Sequence, residues 1–280
     1  MLGRSFLFLP GIGPVREQRL WRKGVDSWEG YRRLDRVQGI RPRVKTRHDE
    51  LLKLAESMLG RDPAFFARLL PASEHWRCFA PFGSDVAYID IETTGDRRNL
   101  VTVVGVRRAG RNRAFVRRLR AGDEEGIAAA GGEPYSAQAV SDALAGASCL
   151  VTFNGASFDL PVLAGEGVAL PVVPHVDLRL VCARVGLTGG LKKIEETLGF
   201  GRTGALAGLS GWDAVKMWGK WERNADEAAL RTLVDYNVAD FHNLEPLASL
   251  AVDRLTRQML DGATRQLRIT SSAPASAAGP

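Results

Sequence analysis

The chain has 280 residues, enough for a full catalytic domain with a small accessory module and long for one compact unit. A content of 45% hydrophobic and 25% charged residues excludes a disordered chain, and three cysteines (Cys78, Cys149, Cys182) without CxxC spacing exclude a disulfide scaffold or a cysteine zinc site. Lys and Arg number 38 against 32 Asp and Glu, and the net charge of +6 biases the protein toward polyanionic partners without proving one. The apolar start Phe6 to Leu9 stops at Pro10-Gly11, short of a signal-peptide core, and no run reaches membrane-spanning length, so the sequence reads as cytoplasmic.

In chain order, residues 1–38 read as a small helical module: Pro14 suits a first helical turn, Gly24 a helix end, and Ser27 a cap for the segment after it. Within it Leu9-Pro-Gly11-Ile-Gly13 resembles the turn of a helix-hairpin-helix, although Ser5 to Leu9 reads as extended chain. That resemblance implies phosphate contact through the backbone at Gly11 and Gly13; a tight turn packed on the rest of the protein is the equal alternative. Residues 39–80 come next as a basic linker with helices: Arg41, Arg43, Lys45 and Arg47 lie around Pro42, and helical apolar spacing begins near Glu50.

The main domain is placed at 81–256. Asp85 to Glu92, Leu100 to Val106 and Ala114 to Leu119 alternate as strands and form an antiparallel meander whose turn is Ala109-Gly110-Arg111-Asn112. A Gly-rich helical stretch precedes a buried strand, Cys149 to Phe153, which enters a helix at Ser157 to Leu163. Further helices are expected at Leu178 to Val185, Leu191 to Leu198 and Asp226 to Leu255. Strands first, then strand and helices alternating, predict an α/β fold: a mixed sheet with antiparallel edge strands, flanked by helices. Residues 257–280 read as a tail, partly disordered, that ends in SSAPASAAGP.

The chemistry concentrates in carboxylates. Residues two apart in a strand share a face, so Asp90 and Glu92 project together while Ile89 and Ile91 point the other way. Two like charges on a central strand need a neutralising cation; an exposed strand end facing water is the plain alternative. Asp159 starts a helix whose N-terminus favours its ionised form. Tyr236 and Asp240 stand one turn apart on a helical face. Together the four acids offer hard oxygen donors suited to two divalent cations, Mg²⁺ or Mn²⁺, the arrangement that hydrolyses phosphodiesters with the ions roughly 4 Å apart.

Three motifs carry a family resemblance: Asp90-Ile-Glu92-Thr93-Thr94-Gly, Asn154-Gly-Ala-Ser-Phe158-Asp159 and Tyr236-Asn-Val-Ala-Asp240. In type and order they resemble the exonuclease motifs of the DnaQ-like DEDD family within the ribonuclease H-like superfamily, and the chain as a whole is most similar to bacterial YprB-type proteins. The segment Gly190 to Gly199 resembles a helix that the family carries between its second and third motifs. The resemblance implies that Asp90 bridges both metals, that Glu92 and Asp240 complete the first site, that Asp159 serves the second, and that Tyr236 orients the attacking water. Asp235 stands where another branch has His, so the chain is similar to the tyrosine type. Thr93, Thr94, Asn154 and Phe158 match positions near the terminal nucleotide, with a core role equally open for Phe158. The implied activity is 3'-to-5' hydrolysis of single-stranded nucleic acid, DNA favoured over RNA. The alternatives are an inactive nucleic-acid-binding module and a ribonuclease. Seven arginines between Arg107 and Arg120 crowd the hairpin, either to grip phosphates or to protect a sheet edge.

Overall fold

The computed structural model describes residues 1–202 and 204–271. The N-terminal part is helical: α1 (Pro14–Arg22), α2 (Trp28–Arg32), α3 (Pro42–Met58) and α4 (Pro63–Leu69). Proline sits in the first turn of α1, α3 and α4, where its missing N–H is no loss. The Ser27 hydroxyl and the Asp62 carboxylate cap α2 and α4 by accepting from the N–H groups of Gly30 and Phe65.

The helix-hairpin-helix whose turn Leu9 to Gly13 resembles has no first helix here, as the sequence suggested, but the chain before the turn is not a strand either. Before α1 there is only a three-residue 3₁₀ turn, Leu2–Arg4; Ser5 is extended, but Leu7 to Leu9 turn, with the Leu9 N–H donating to Phe6 O and Ile12 N–H to Leu9 O. Phe6, Leu7, Phe8 and Leu9 all enter one core with Trp28, Tyr31 and Phe66, which an extended strand with alternating faces would not achieve there. The basic linker is also a correction: Pro42 starts α3 instead of breaking the chain, and Lys45 is buried, ion-paired to Asp49 at 2.7 Å and 5.2 Å above the Tyr31 ring.

The sheet comes after these helices, with β1 (Val86–Thr93), β2 (Val101–Arg108) and β3 (Arg111–Val116) as an antiparallel meander. Its hairpin turn is only Ala109-Gly110, both at positive φ (49° and 74°), so Arg111 and Asn112 belong to β3. Next come α5 (Asp123–Ala129), β4 (Glu133–Pro134), α6 (Ala137–Leu144), β5 (Cys149–Thr152), α7 (Asp159–Gly165), β6 (His175–Asp177), α8 (Leu178–Arg184) and α9 (Leu191–Leu198). Two helices complete the described residues, α10 (Gly211–Asn224) and α11 (Glu227–Ser271). The strand order is β4-β3-β2-β1-β5-β6, and β5 and β6 run parallel to β1.

Helices cover both faces of this mixed α/β sheet. Ala87, Ile89 and Ile91 of β1 pack with Val140 and Leu144 of α6 and Leu163 of α7. Val86 and Tyr88, on the opposite face, pack with Val181 of α8, Ile194 of α9 and Phe241, Leu244 and Leu247 of α11. Beyond β2 and β3 the same side is covered by α5, α10 and α11 through Ile127, Trp218, Trp221 and Leu233. No residue of α10 was expected as helical, yet a capping box closes its start, Ser210 and Asp213 each bonding the other's backbone. The helix expected to end near Leu255 continues through residues 257–271, so that part of the expected tail is helix; the rest of SSAPASAAGP lies outside the described residues. Among the described residues no helix is long and apolar enough to cross a membrane.

Candidate metal centre

The site lies where β1 outruns its parallel neighbour. β5 pairs only with Val86 to Tyr88, so the last residues of β1 project past the end of β5. Asp90 and Glu92 share the face of Tyr88, toward α11, as the alternation predicts. On α11, Tyr236, Asn237 and Asp240 face the sheet and are buried. A carboxylate oxygen from each of Asp90, Glu92 and Asp240 falls within 4.8 Å of the others.

Asp159 stands outside that tightest group but beside it. It is the first residue of α7 and buried, with the backbone N–H of Ile91 near enough to draw its pKa down. Its charge is felt by both Asp90 and Glu92. All four expected acids therefore gather at one end of β1.

Burial and mutual repulsion dominate their electrostatics. Loss of water pushes the Asp90 carboxyl well above its ordinary range, and the charges of Asp240, Glu92 and Asp159 add to that. Glu92 is raised by burial and then by Asp240; Asp240 is raised by burial against the pull of Arg202. The helix start was expected to keep Asp159 ionised, but burial outweighs the backbone donors and lifts its carboxyl to about 7. Four carboxylates in one place, Asp90 half-buried and the other three buried, fit hard divalent cations such as Mg²⁺ or Mn²⁺, whose charge would hold them ionised.

The chain supplies two cations of its own. Arg202, on the segment between α9 and α10, ion-pairs through Nη2 with Asp240 and with Glu195, the latter at 3.1 Å. Its guanidinium carbon lies 5.1 Å from the centre of the Tyr236 ring. From α9 the Lys192 ammonium reaches the Tyr236 hydroxyl at 2.6 Å and sits 4.4 Å from the same ring. Burial pulls that ammonium below its usual pKa, against the raising charges of Asp240 and Glu92.

Asn237 locks the pieces together, its amide donating to Asp90 Oδ2 at 2.9 Å and to the Asp90 carbonyl at 3.2 Å. Gly105, paired with Asp90 across β2, makes room for it. A Cβ there would stand 2.1 Å from Phe241 Cδ1 and 2.3 Å from Asn237 Oδ1. Arg202, Lys192, Asn237 and Gly105 were not singled out by the sequence. For Gly105 a signal existed, because a glycine inside a strand marks close backbone approach.

The expected nucleotide contacts are placed less uniformly. Thr93 Oγ1 donates to Asn99 Oδ1 at 2.7 Å and Thr94 Oγ1 to Asp96 Oδ1 at 2.7 Å, so both hydroxyls brace the loop after β1. Asn154 adopts φ of +69°, its N–H donates to Asp177 and its side-chain oxygen accepts from Arg179 at 2.7 Å. Phe158 is 36% exposed at the N-cap of α7, not in the core. Gly11 and Gly13 are exposed in the N-terminal part, with Gly11 O accepting from Arg16, and nothing brings them among the carboxylates. The arginine hairpin is largely neutralised: Arg107, Arg108, Arg113, Arg117, Arg118 and Arg120 pair with Glu245, Asp85, Glu133, Glu166, Glu124 and Asp123.

No curated protein matches the chain. The RNase_H_2 family model, of the RNase_H superfamily, matches residues 87–252, which run from β1 into α11 and contain all four acids. That span is more than half of the sequence, and the chain belongs to the RNase_H superfamily.

Proposed function

We propose that this protein is a metal-dependent 3'-to-5' exonuclease of the tyrosine-type DEDD group, acting on single-stranded nucleic acid ends, DNA in preference to RNA. The observation that carries the reading is the meeting of Asp90 and Glu92 from β1 with Asp240 from α11, and Asp159 alongside. Two divalent cations held by these four side chains would supply the acidity that deprotonates water and the positive charge that steadies the leaving oxygen. Asn237 fixes the orientation of Asp90, and Lys192 holds the Tyr236 hydroxyl beside Asp240, where it would orient the attacking water. Direction and sugar preference rest on the resemblance of the three motifs.

A single-stranded substrate suits the rim. Phe158 is exposed on one side, and Trp212, 62% exposed, begins α10, whose Val215 packs at Gly95 in the loop after β1. Exposed aromatic faces stack on unpaired bases without selecting among them. Thr93, Thr94 and Asn154 then shape the floor through backbone positions, and Gly11 and Gly13 remain a separate backbone surface for phosphate.

The test is a panel of 5'-end-labelled DNA and RNA oligonucleotides with Mg²⁺, Mn²⁺ or EDTA, beside Asp90→Ala and Asp240→Ala. Stepwise shortening with metal, faster on DNA and reduced by a factor of about 10³ or more in both variants, is expected. Bound but uncut oligonucleotide in every metal would mark a binding module, and faster loss of RNA a ribonuclease.

A further inference from the structure

Arg202 is buried to 7% side-chain exposure, yet one of its three nitrogens, Nη1, has no partner among the described residues. A buried guanidinium with an empty donor is costly unless an acceptor arrives. The other two nitrogens are anchored unequally: Nε bonds only Glu195, at 3.2 Å, whereas Nη2 is shared between Glu195 and Asp240. The residue lies three positions after the left-handed Gly199 that ends α9, and residues 200–202 belong to no helix or strand.

From this geometry, and resting on the metal-centre reading above, we infer that Arg202 is a substrate-phosphate-binding residue that neutralises Asp240 until divalent cations claim that carboxylate, and then turns its freed fork to a phosphate oxygen of the bound strand. The charges support this sequence. Four carboxylates and two divalent cations cancel, which leaves Arg202 and Lys192 facing Glu195 alone, one positive charge in excess at the place where a phosphodiester brings one negative charge. Glu195 keeps Nε and one side of Nη2 tethered, which leaves Nη1 and the Nη2 hydrogen that Asp240 gives up, and this planar fork matches two phosphate oxygens as an ammonium would not. No covalent step is involved; one acceptor is exchanged for another.

The inference separates from a purely structural role because it ties two affinities together with opposite signs. In Arg202→Ala the metal meets no competitor at Asp240, so Mn²⁺ binding without nucleic acid, read by electron paramagnetic resonance, should tighten by about tenfold, the loss of one charge-assisted hydrogen bond. Affinity for a cleavage-resistant phosphorothioate oligonucleotide in saturating Mn²⁺ should fall by about tenfold, and Arg202→Lys should lie between the two for both. If Arg202→Ala melts early, Arg202→Gln, which keeps a polar side chain without the charge, is read by the same two titrations. Mn²⁺ affinity unchanged or weakened in a folded variant, or oligonucleotide affinity unchanged, overturns the inference while wild-type cleavage leaves the exonuclease reading intact. Wild-type protein that binds no Mn²⁺ at all overturns both.

Discussion

Gly105→Ala should disable the site from a position that touches no metal and no substrate. The new Cβ would meet Phe241 Cδ1 at 2.1 Å and Asn237 Oδ1 at 2.3 Å, where ordinary contact begins at 3.4 Å, so α11 must withdraw by about 1 Å. Overpacking of this kind costs about 1 to 3 kcal/mol, which urea unfolding followed by tryptophan fluorescence would register. The same withdrawal stretches the Asn237 bond to Asp90 from 2.9 Å to about 3.9 Å, past hydrogen-bond range, and carries Asp240 away from Asp90 and Glu92. Misplacement on that scale costs about 10² in rate, so cleavage should fall by that factor with Mn²⁺ binding weakened in parallel. Trimming the obstructing ring in Gly105→Ala/Phe241→Leu should recover part of the stability but little of the cleavage, since Asn237 is still displaced. Gly105→Ala with wild-type cleavage and less than about 0.5 kcal/mol of destabilisation would refute the claim that this glycine sets the distance between α11 and β1.

Two further outcomes concern the scaffold. Arg77 is buried with ion pairs to Glu17 at 2.8 Å and Glu74 at 2.6 Å; Arg77→Ala leaves Glu17 buried without a cation, while Glu74 keeps Arg184 at 3.0 Å, and should cost about 3 to 5 kcal/mol in urea unfolding. The pair Glu17→Leu/Arg77→Met should cost far less, and equal losses in both variants would contradict this account. His175 accepts or donates at Thr152 Oγ1, 2.8 Å away, and burial holds its pKa down to about 4 from 6.5. Its stabilising share is complete above pH 6.5 and disappears as pH falls toward 4, because the unfolded chain gains a proton that the folded one refuses, a loss of about 3 kcal/mol. His175→Gln should flatten that part of the stability profile; an unchanged slope would assign it to other groups.

What could be read from the sequence depended on whether the signal was local. The alternation in β1 fixes which face each residue takes, and Asp90 and Glu92 do share the face of Tyr88. Helix α9 spans Leu191–Leu198 as its apolar spacing foretells. By contrast β6 is three residues, His175–Asp177, too short for any period, and exists because it pairs with β5. Helix α10 does carry a readable start, Ser210 and Asp213 three apart, but it follows glycines at 199, 201, 204 and 208, which are a local loop signal. The N-terminal part misled for a different reason: Phe6 to Leu9 looks like a strand until the core that surrounds all four side chains is known.

The same distinction separates the two ends of the site's charge. Carboxylates in short motifs are visible because their spacing within β1 or along α11 already puts them side by side. A cation opposite them can come from anywhere in the chain, and basic density is a poor guide to where. The hairpin from Arg107 to Arg120 is the richest run of arginines, yet six of its seven guanidinium groups are matched to acids nearby, so its positive charge is spent within the fold. Arg202 stands alone in a glycine-rich segment, and it is this one whose fork reaches Asp240 with a donor left over. Unsatisfied pairing rather than abundance marks a charge that is free to act, and pairing is settled only once the chain has folded.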